Sequence, residues 1–155
     1  MNSIGKASLS FVLRIITDGC IVLNFLSLIG LFWLARRMED RLTETFGWSE
    51  PYWFIFLFFF VCGLWTLGIL IQGHLILRTL EKNQPFDMQN AKRFFRVGIF
   101  CLFIATTFVA KIFLYNTLLT VAGAVIFYLA ALISLILSDV FVKASKIWEE
   151  QQLTI

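Results

Sequence analysis

Four long stretches with few or no charged side chains constrain this chain more than any other feature. The clearest runs from Pro51 to Leu77, between Glu50 and Arg78, without a single Asp, Glu, Lys or Arg. A helix needs about 20 apolar residues to cross about 30 Å of hydrocarbon at 1.5 Å per residue. Since each stretch approaches or exceeds that length, the pattern predicts helices that cross a membrane.

The predicted spans cover residues 15–35, 51–77, 94–114 and 118–138. The first contains one acidic residue, Asp18, and the third contains Lys111 near its far end, where a long side chain can reach the headgroups. Only three residues separate the third span from the fourth. We therefore expect these two spans to form an antiparallel hairpin.

Composition agrees with this interpretation. Hydrophobic residues make up 59% of the 155 residues, 18 of them are Phe, and only 15% of the chain is charged, against about 25% in ordinary soluble domains. A water-soluble core of this size could not bury so many apolar side chains. The sequence therefore predicts an all-α integral membrane four-helix bundle, formed by one domain over residues 1–155 and solvated by the lipid bilayer.

The basic residues predict the orientation, because Lys and Arg are retained in cytoplasmic loops. Of the 13 Lys and Arg residues, four lie on the side of the membrane where the first span ends, and they are Arg36, Arg37, Arg41 and Lys111. The other nine lie on the side that holds both termini. Amphipathic rings prefer the membrane boundary, and five lie at the opposite, outer side: Trp33, Trp48, Tyr52, Trp53 and Tyr115. Both signals place the two termini in the cytoplasm.

Residues that carry enzyme or metal chemistry are sparse. Cys20, Cys62 and Cys101 all lie in spans and form no Cys-x-x-Cys pair, and His74 is the only histidine. Zinc and haem sites normally need several such ligands, and we see no nucleophile–base pair. We therefore predict no metal, no cofactor and no enzyme activity. The scattered basic residues also argue against direct nucleic-acid binding.

Several polar residues recur near the predicted cytoplasmic end of the spans, and they form a candidate intramembrane cluster of Asp18, Asn24, His74, Arg96 and Asp139. Ionisable groups inside a membrane boundary are costly unless they are paired or hydrated. Two interpretations stay open, namely structural pairing among helix ends and a polar patch that titrates or binds a partner.

Two stripes of small or weakly polar residues are predicted to pack the first span against the fourth. One stripe comprises Thr17, Cys20, Asn24 and Ser27, and the other Ala130, Ser134 and Ser138. Small residues on one face allow helix backbones to approach closely in lipid. The alternative use is to line a water path or a substrate cavity.

The predicted cytoplasmic face carries the most distinctive motifs. In the loop before the third span, Pro85 ends one helix and Asp87 can cap the next. After the fourth span, residues 139–155 are predicted to form an amphipathic cytoplasmic helix with an apolar face that includes Phe141 and Trp148. The candidate partner-binding residues on these elements are Pro85, Phe86, Asn90, Lys92, Arg93, Trp148, Leu153 and Ile155.

At these motifs the chain resembles the bacterial membrane family known as domain of unknown function 2975. The similar segments are Gln84-Pro85-Phe86-Asp87, Asn90-Ala91-Lys92-Arg93 and the ending Leu153-Thr154-Ile155. Phe94 and Phe95 replace the more usual Leu and Arg, and the Gly common in the arm is absent. The resemblance implies a four-helix membrane protein whose gene often adjoins that of a small helix-turn-helix regulator, and it carries over no catalytic residue.

The resulting functional hypothesis is a bacterial inner-membrane protein whose cytoplasmic face binds a soluble protein, such as that regulator. An oligomer of the chain is compatible with this hypothesis. The alternative is a small transporter or channel subunit that uses Asp18, Asn24 and His74.

Overall fold

The computed structural model describes residues 3–37, 52–82, 87–115 and 117–153, and the regular structure within these ranges is entirely helical. The all-α prediction is confirmed for these residues. In chain order the helices are α1 (Ser3–Arg37), α2 (Tyr52–Glu81), α3 (Met88–Leu114) and α4 (Leu118–Leu153).

All four helices are long and apolar enough to cross a membrane, as the uncharged stretches predict. The qualifying segments are Ser10–Leu34, Trp53–Glu81, Met88–Leu114 and Leu118–Gln151. Large apolar side chains remain uncovered along them, and Leu23 and Ile136 are 66% and 63% exposed. Apolar surface on this scale is unfavourable in water and ordinary in lipid. The chain is thus a multi-pass membrane protein.

Each helix packs most extensively on the next helix in the chain. The main interfaces are α1 with α2, α2 with α3, and α3 with α4, and in each pair the helices run antiparallel. The predicted hairpin of the third and fourth spans is confirmed. The predicted packing of the first span against the fourth is wrong, because α1 and α4 form no extensive interface within the described residues.

The α3–α4 interface is built on small residues spaced seven apart. On α3 they are the buried residues Ala91, Gly98 and Ala105. On α4 they are the buried residues Ala124, Ala131, Ser138 and Ser145. Ser138 Oγ donates to the backbone oxygen of Ala91 at 2.8 Å, which joins the two series at one end. Small side chains let the helix backbones approach closely and hydrogen-bond in lipid.

The second predicted stripe therefore contacts a different helix. Ser138 belongs to the small-residue series that faces α3, whereas Ala130 and Ser134 lie beside that series and are half-buried. Periodicity identifies residues that share a helix face, but it does not identify the helix that packs against that face. The sequence pattern therefore predicts the wrong partner for this stripe.

Aromatic rings fill the α2–α3 interface. Trp65 stacks on Phe103 with ring centroids 4.5 Å apart, and Phe58 meets Phe108 edge-on at 5.0 Å. Such ring pairs add to the energy of apolar burial. The interface between α2 and α3 is thus of a different kind from the small-residue interface between α3 and α4.

The start of α3 is capped as the sequence predicts. Asp87 precedes the first helical residue, and its side chain accepts a hydrogen bond from the backbone N–H of Gln89 at 2.9 Å. This satisfies one of the amide groups left without a partner at a helix start. At the other end of the hairpin the Tyr115 N–H donates to the Lys111 carbonyl at 2.7 Å.

Candidate functional site

Polar contacts between helices gather at one end of the molecule, where α2 ends and α3 begins. We call this end the basic end and define it by Arg14, Glu81 and Arg93. It is the end that the Lys and Arg distribution predicts to be cytoplasmic. Two groups of side chains at the basic end link neighbouring helices.

The first group links α1 to α2 by an ion pair and by a hydrogen bond between a histidine and a carboxyl group. Arg14 Nη1 lies 2.6 Å from Glu81 Oε2, and His74 Nδ1 lies 2.5 Å from Asp18 Oδ1. Arg14 and Asp18 are four residues apart, so they share one face of α1, and His74 and Glu81 share one face of α2. We call these four residues the α1–α2 polar seam.

The polar seam is partly shielded from solvent. The side chains of Arg14 and Glu81 are 30% and 21% exposed, and those of His74 and Asp18 are 29% and 48% exposed. Glu81 Oε2 accepts from Arg14, whereas Glu81 Oε1 is buried and has no hydrogen-bond partner. Each seam charge at this membrane boundary thus depends chiefly on a partner from the opposite helix.

Farther along the same interface, residues of both helices line a cavity of about 660 Å³. Asn24 and Ser27 line it from α1, and Cys62 and Thr66 line it from α2. The oxygen of the Asn24 amide is buried and has no partner. Asn24 and Ser27, half of the first predicted stripe, therefore face α2 rather than α4.

The other two residues of that stripe, Thr17 and Cys20, do not line the cavity. Thr17 Oγ1 donates to the Leu13 carbonyl of its own helix at 2.8 Å, and Cys20 is exposed. Residues three or four apart are neighbours on a helix surface, so the pattern alone does not show which of the four residues line the cavity.

The structure thus divides the candidate intramembrane cluster. It brings Asp18 and His74 into contact and places Asn24 on the same interface. Arg96 is exposed on α3, and Asp139 pairs with Lys143 on its own helix at 2.7 Å, with both side chains largely exposed. No hydrogen bond or ion pair joins Arg96 or Asp139 to the seam in the part of the chain that the structure describes. The ion pair of Arg14 with Glu81 lies outside the predicted cluster, because no local pattern in the sequence relates these two residues.

The second group links α2 to α3 through one guanidinium group, and we call it the Arg93 junction. Arg93 Nη1 donates to Leu75 O at 2.9 Å, to Thr79 Oγ1 at 2.5 Å and to Asn90 Oδ1 at 3.0 Å. Arg93 Nη2 donates to Gln89 Oε1 at 3.3 Å. Thr79 and Asn90 are buried, and Asn90 has no exposed surface.

The Arg93 junction changes the interpretation of the candidate partner-binding residues. Arg93 and Asn90 are engaged within the molecule, whereas Lys92 and Trp148 are exposed. Leu153 is the last residue of α4. Pro85, Phe86 and Ile155 lie outside the described residues.

Metal-ligating side chains are dispersed. Within the described ranges, no three His, Cys, Asp or Glu side chains come close enough together to hold a metal ion. The three cysteines are free thiols: Cys20 is exposed, Cys62 is half-buried and Cys101 is buried.

Comparison with known families gives a match over most of the chain. The family described as "Protein of unknown function (DUF2975)" matches residues 30–155, as the loop and C-terminal motifs predict. No curated protein matches the chain, and no solved structure matches it.

Proposed function

Because this chain belongs to the DUF2975 family, whose description names no activity, we propose a function from its own residues: a non-enzymatic membrane protein that binds a soluble protein at its basic end. The observation that carries the proposal is the length of α4. Its 36 residues extend about 54 Å at 1.5 Å per residue, against about 30 Å for the hydrocarbon core.

The surplus length of α4 lies at the basic end. Ser145 contacts Met88, the first residue of α3, through an Oγ–Sδ distance of 3.8 Å. The part of α4 after Ser145 therefore extends past the start of α3. We call residues 146–153 the α4 extension. It lies beyond the charged residues that mark the end of the spans, so we place it in water.

The α4 extension combines apolar and charged side chains. Ile147 and Trp148 are 57% and 51% exposed, and Lys146, Glu149 and Glu150 stand among them. An aromatic side chain on a fixed helix is typical of an anchor for a protein groove. The family resemblance suggests a small helix-turn-helix regulator as the partner.

The proposed orientation places the basic end in the cytoplasm of a bacterium. Most Lys and Arg residues of the chain lie toward this end, and such residues are retained on the cytoplasmic side of a membrane. Trp33 and Trp53, both largely exposed, lie at the opposite end, where boundary aromatics are expected.

A specific contact also favours the alternative function of a small transporter. Asp18 and His74 meet across α1 and α2, and Asn24 faces the adjoining cavity. These are the residues that a transport path along this interface would use.

We test partner binding by photocrosslinking in intact membranes. A photoreactive amino acid at Trp148 is expected to form a covalent product with a soluble protein, because this side chain projects beyond the spans. The matched control places the same amino acid at Ile136, which is 63% exposed on the same helix but lies within the predicted span.

The proposal predicts a product at residue 148 that is absent at residue 136 and that re-forms with the purified partner. It is contradicted if both positions give the same products, or if residue 148 gives none in a fully expressed protein. Deletion of Gln151 to Ile155 is expected to weaken the product, and an unchanged yield would exclude the last five residues from the binding surface.

A further inference from the structure

We propose that Asp18 and His74 form a proton-binding site that controls how tightly α1 is held against α2. The proposal concerns the α1–α2 polar seam and does not depend on the partner-binding function. It applies to the end of the interface where Arg14 contacts Glu81 and Asp18 contacts His74.

The geometry assigns the position of the proton. His74 Nδ1 lies 2.5 Å from Asp18 Oδ1, and a carboxylate is an acceptor, so the neutral ring carries its hydrogen on Nδ1. An incoming proton then binds Nε2 and leaves the imidazolium with Nδ1–H donating to Asp18. The half-buried His74 side chain is 29% exposed and lies seven residues before Glu81, the last residue of α2.

Charge balance explains why proton binding strengthens the contact. Arg14 and Glu81 already form one pair of opposite charges. With a neutral ring, Asp18 lacks a cation of its own, whereas a protonated His74 completes a second pair. The imidazolium adds a full opposite charge to a hydrogen bond whose acceptor is already ionised, and unpaired charges at a membrane boundary are unfavourable.

Other charged groups surround this site. Arg14 and Asp18 lie on α1, and Arg78 and Glu81 lie on α2, the helix of His74 itself. Arg93 lies on α3, which packs on α2. Glu81 is paired with Arg14, and Arg93 is engaged by four acceptors. Arg78 is exposed, so solvent screens its charge.

The α1–α2 interface is the one that such a contact can control. Helix α1 makes its extensive contacts with α2, and a cavity of about 660 Å³ opens between the two farther along. Among its described residues this interface has no buried series of small residues like the one between α3 and α4, and its close contact is that of Leu28 with Gly63. We therefore expect α1 to be held tightly when His74 is protonated and to separate more readily when it is neutral.

The first test reads the protonation of the ring directly. His74 is the only histidine, so nitrogen NMR of histidine-labelled protein in lipid nanodiscs reports on one imidazole. We expect Nδ1 to carry a hydrogen at every pH between about 5 and about 8, and Nε2 to carry one only when the ring is charged. In Asp18→Asn the preference for Nδ1–H should be lost, and in the control Asp139→Asn it should be retained.

The second test measures the separation of α1 and α2. Spin labels replace the exposed residues Phe11 on α1 and Leu80 on α2, in a protein whose three cysteines are changed to Ala. We expect the separated population to rise about fivefold between about pH 5 and about pH 8, a change of about 1 kcal/mol. Labels at Phe95 on α3 and Val140 on α4 should show no change.

His74→Gln and Asp18→Asn should abolish the pH response of the α1–α2 labels. The proposal is overturned if the response survives in His74→Gln, if the α1–α2 distance is the same at both pH values in the native sequence, or if the neutral ring carries its hydrogen on Nε2. The tautomer measurement needs no substitution, so it decides the assignment even if a variant fails to fold.

Discussion

Replacing Gly98 with Val is expected to destabilise the protein by about 3 kcal/mol, the upper part of the range for overpacking a buried site. A Cβ atom on residue 98 would lie 2.8 Å from Leu135 Cγ and 3.3 Å from the backbone oxygen of Ala131. The Leu135 side chain can move, but the Ala131 backbone cannot move without separating α4 from α3. Unfolding in mixed detergent micelles, followed by tryptophan fluorescence, measures the loss.

The matched control for Gly98 is Gly73→Val on α2. A Cβ atom on Gly73 would meet no atom within 4 Å, so this variant should change the free energy of unfolding by less than about 0.5 kcal/mol. Equal losses at the two glycines would show that close packing of α3 on α4 does not explain the requirement for Gly98.

Replacing Arg93 with Ala is expected to destabilise the protein by about 3 kcal/mol. The change removes the donor shared by Leu75 O, Thr79 Oγ1, Asn90 Oδ1 and Gln89 Oε1. Asn90 and Thr79 are buried, and the loss of a hydrogen-bond partner by buried polar groups costs about 1–3 kcal/mol; Thr79 Oγ1 keeps its donation to Leu75 O. The same micelle unfolding assay measures the effect.

Two further variants test whether the geometry of the guanidinium matters. Lys92→Ala removes the neighbouring exposed basic residue and should change stability by less than about 0.5 kcal/mol. Arg93→Lys retains the charge but offers fewer donors in a less rigid arrangement, so it should lie between Arg93 and Arg93→Ala. If Arg93→Ala is no less stable than Lys92→Ala, the Arg93 junction does not hold α2 to α3.

Much of the fold could be predicted from the sequence because lipid imposes a simple rule on helix length and composition. The uncharged stretches indicate the four helices, the short Tyr115–Thr117 connection indicates the hairpin, and Asp87 indicates the start of α3. One stronger signal was missed. Ala91, Gly98 and Ala105 on α3 recur every seven residues, as do four small residues on α4, and this repeat marks the closest helix pair.

The candidate site could be predicted only in part, because local patterns do not report which helices meet. Asp18 and His74 are 56 residues apart in the chain, and nothing in their immediate neighbours shows that they are in contact. Asn90 and Arg93 follow a polar loop and therefore resemble surface residues. They are engaged within the molecule because one guanidinium group satisfies polar atoms from two helices.

We propose that α1 to α4 each cross the membrane once, with the basic end in the cytoplasm. Reporter fusions at residue 1, at residue 155 and within residues 38–51 test it most directly. We predict cytoplasmic signals from both ends and an external signal from the segment between α1 and α2. Signals from residues 1 and 155 on opposite sides of the membrane would contradict the account.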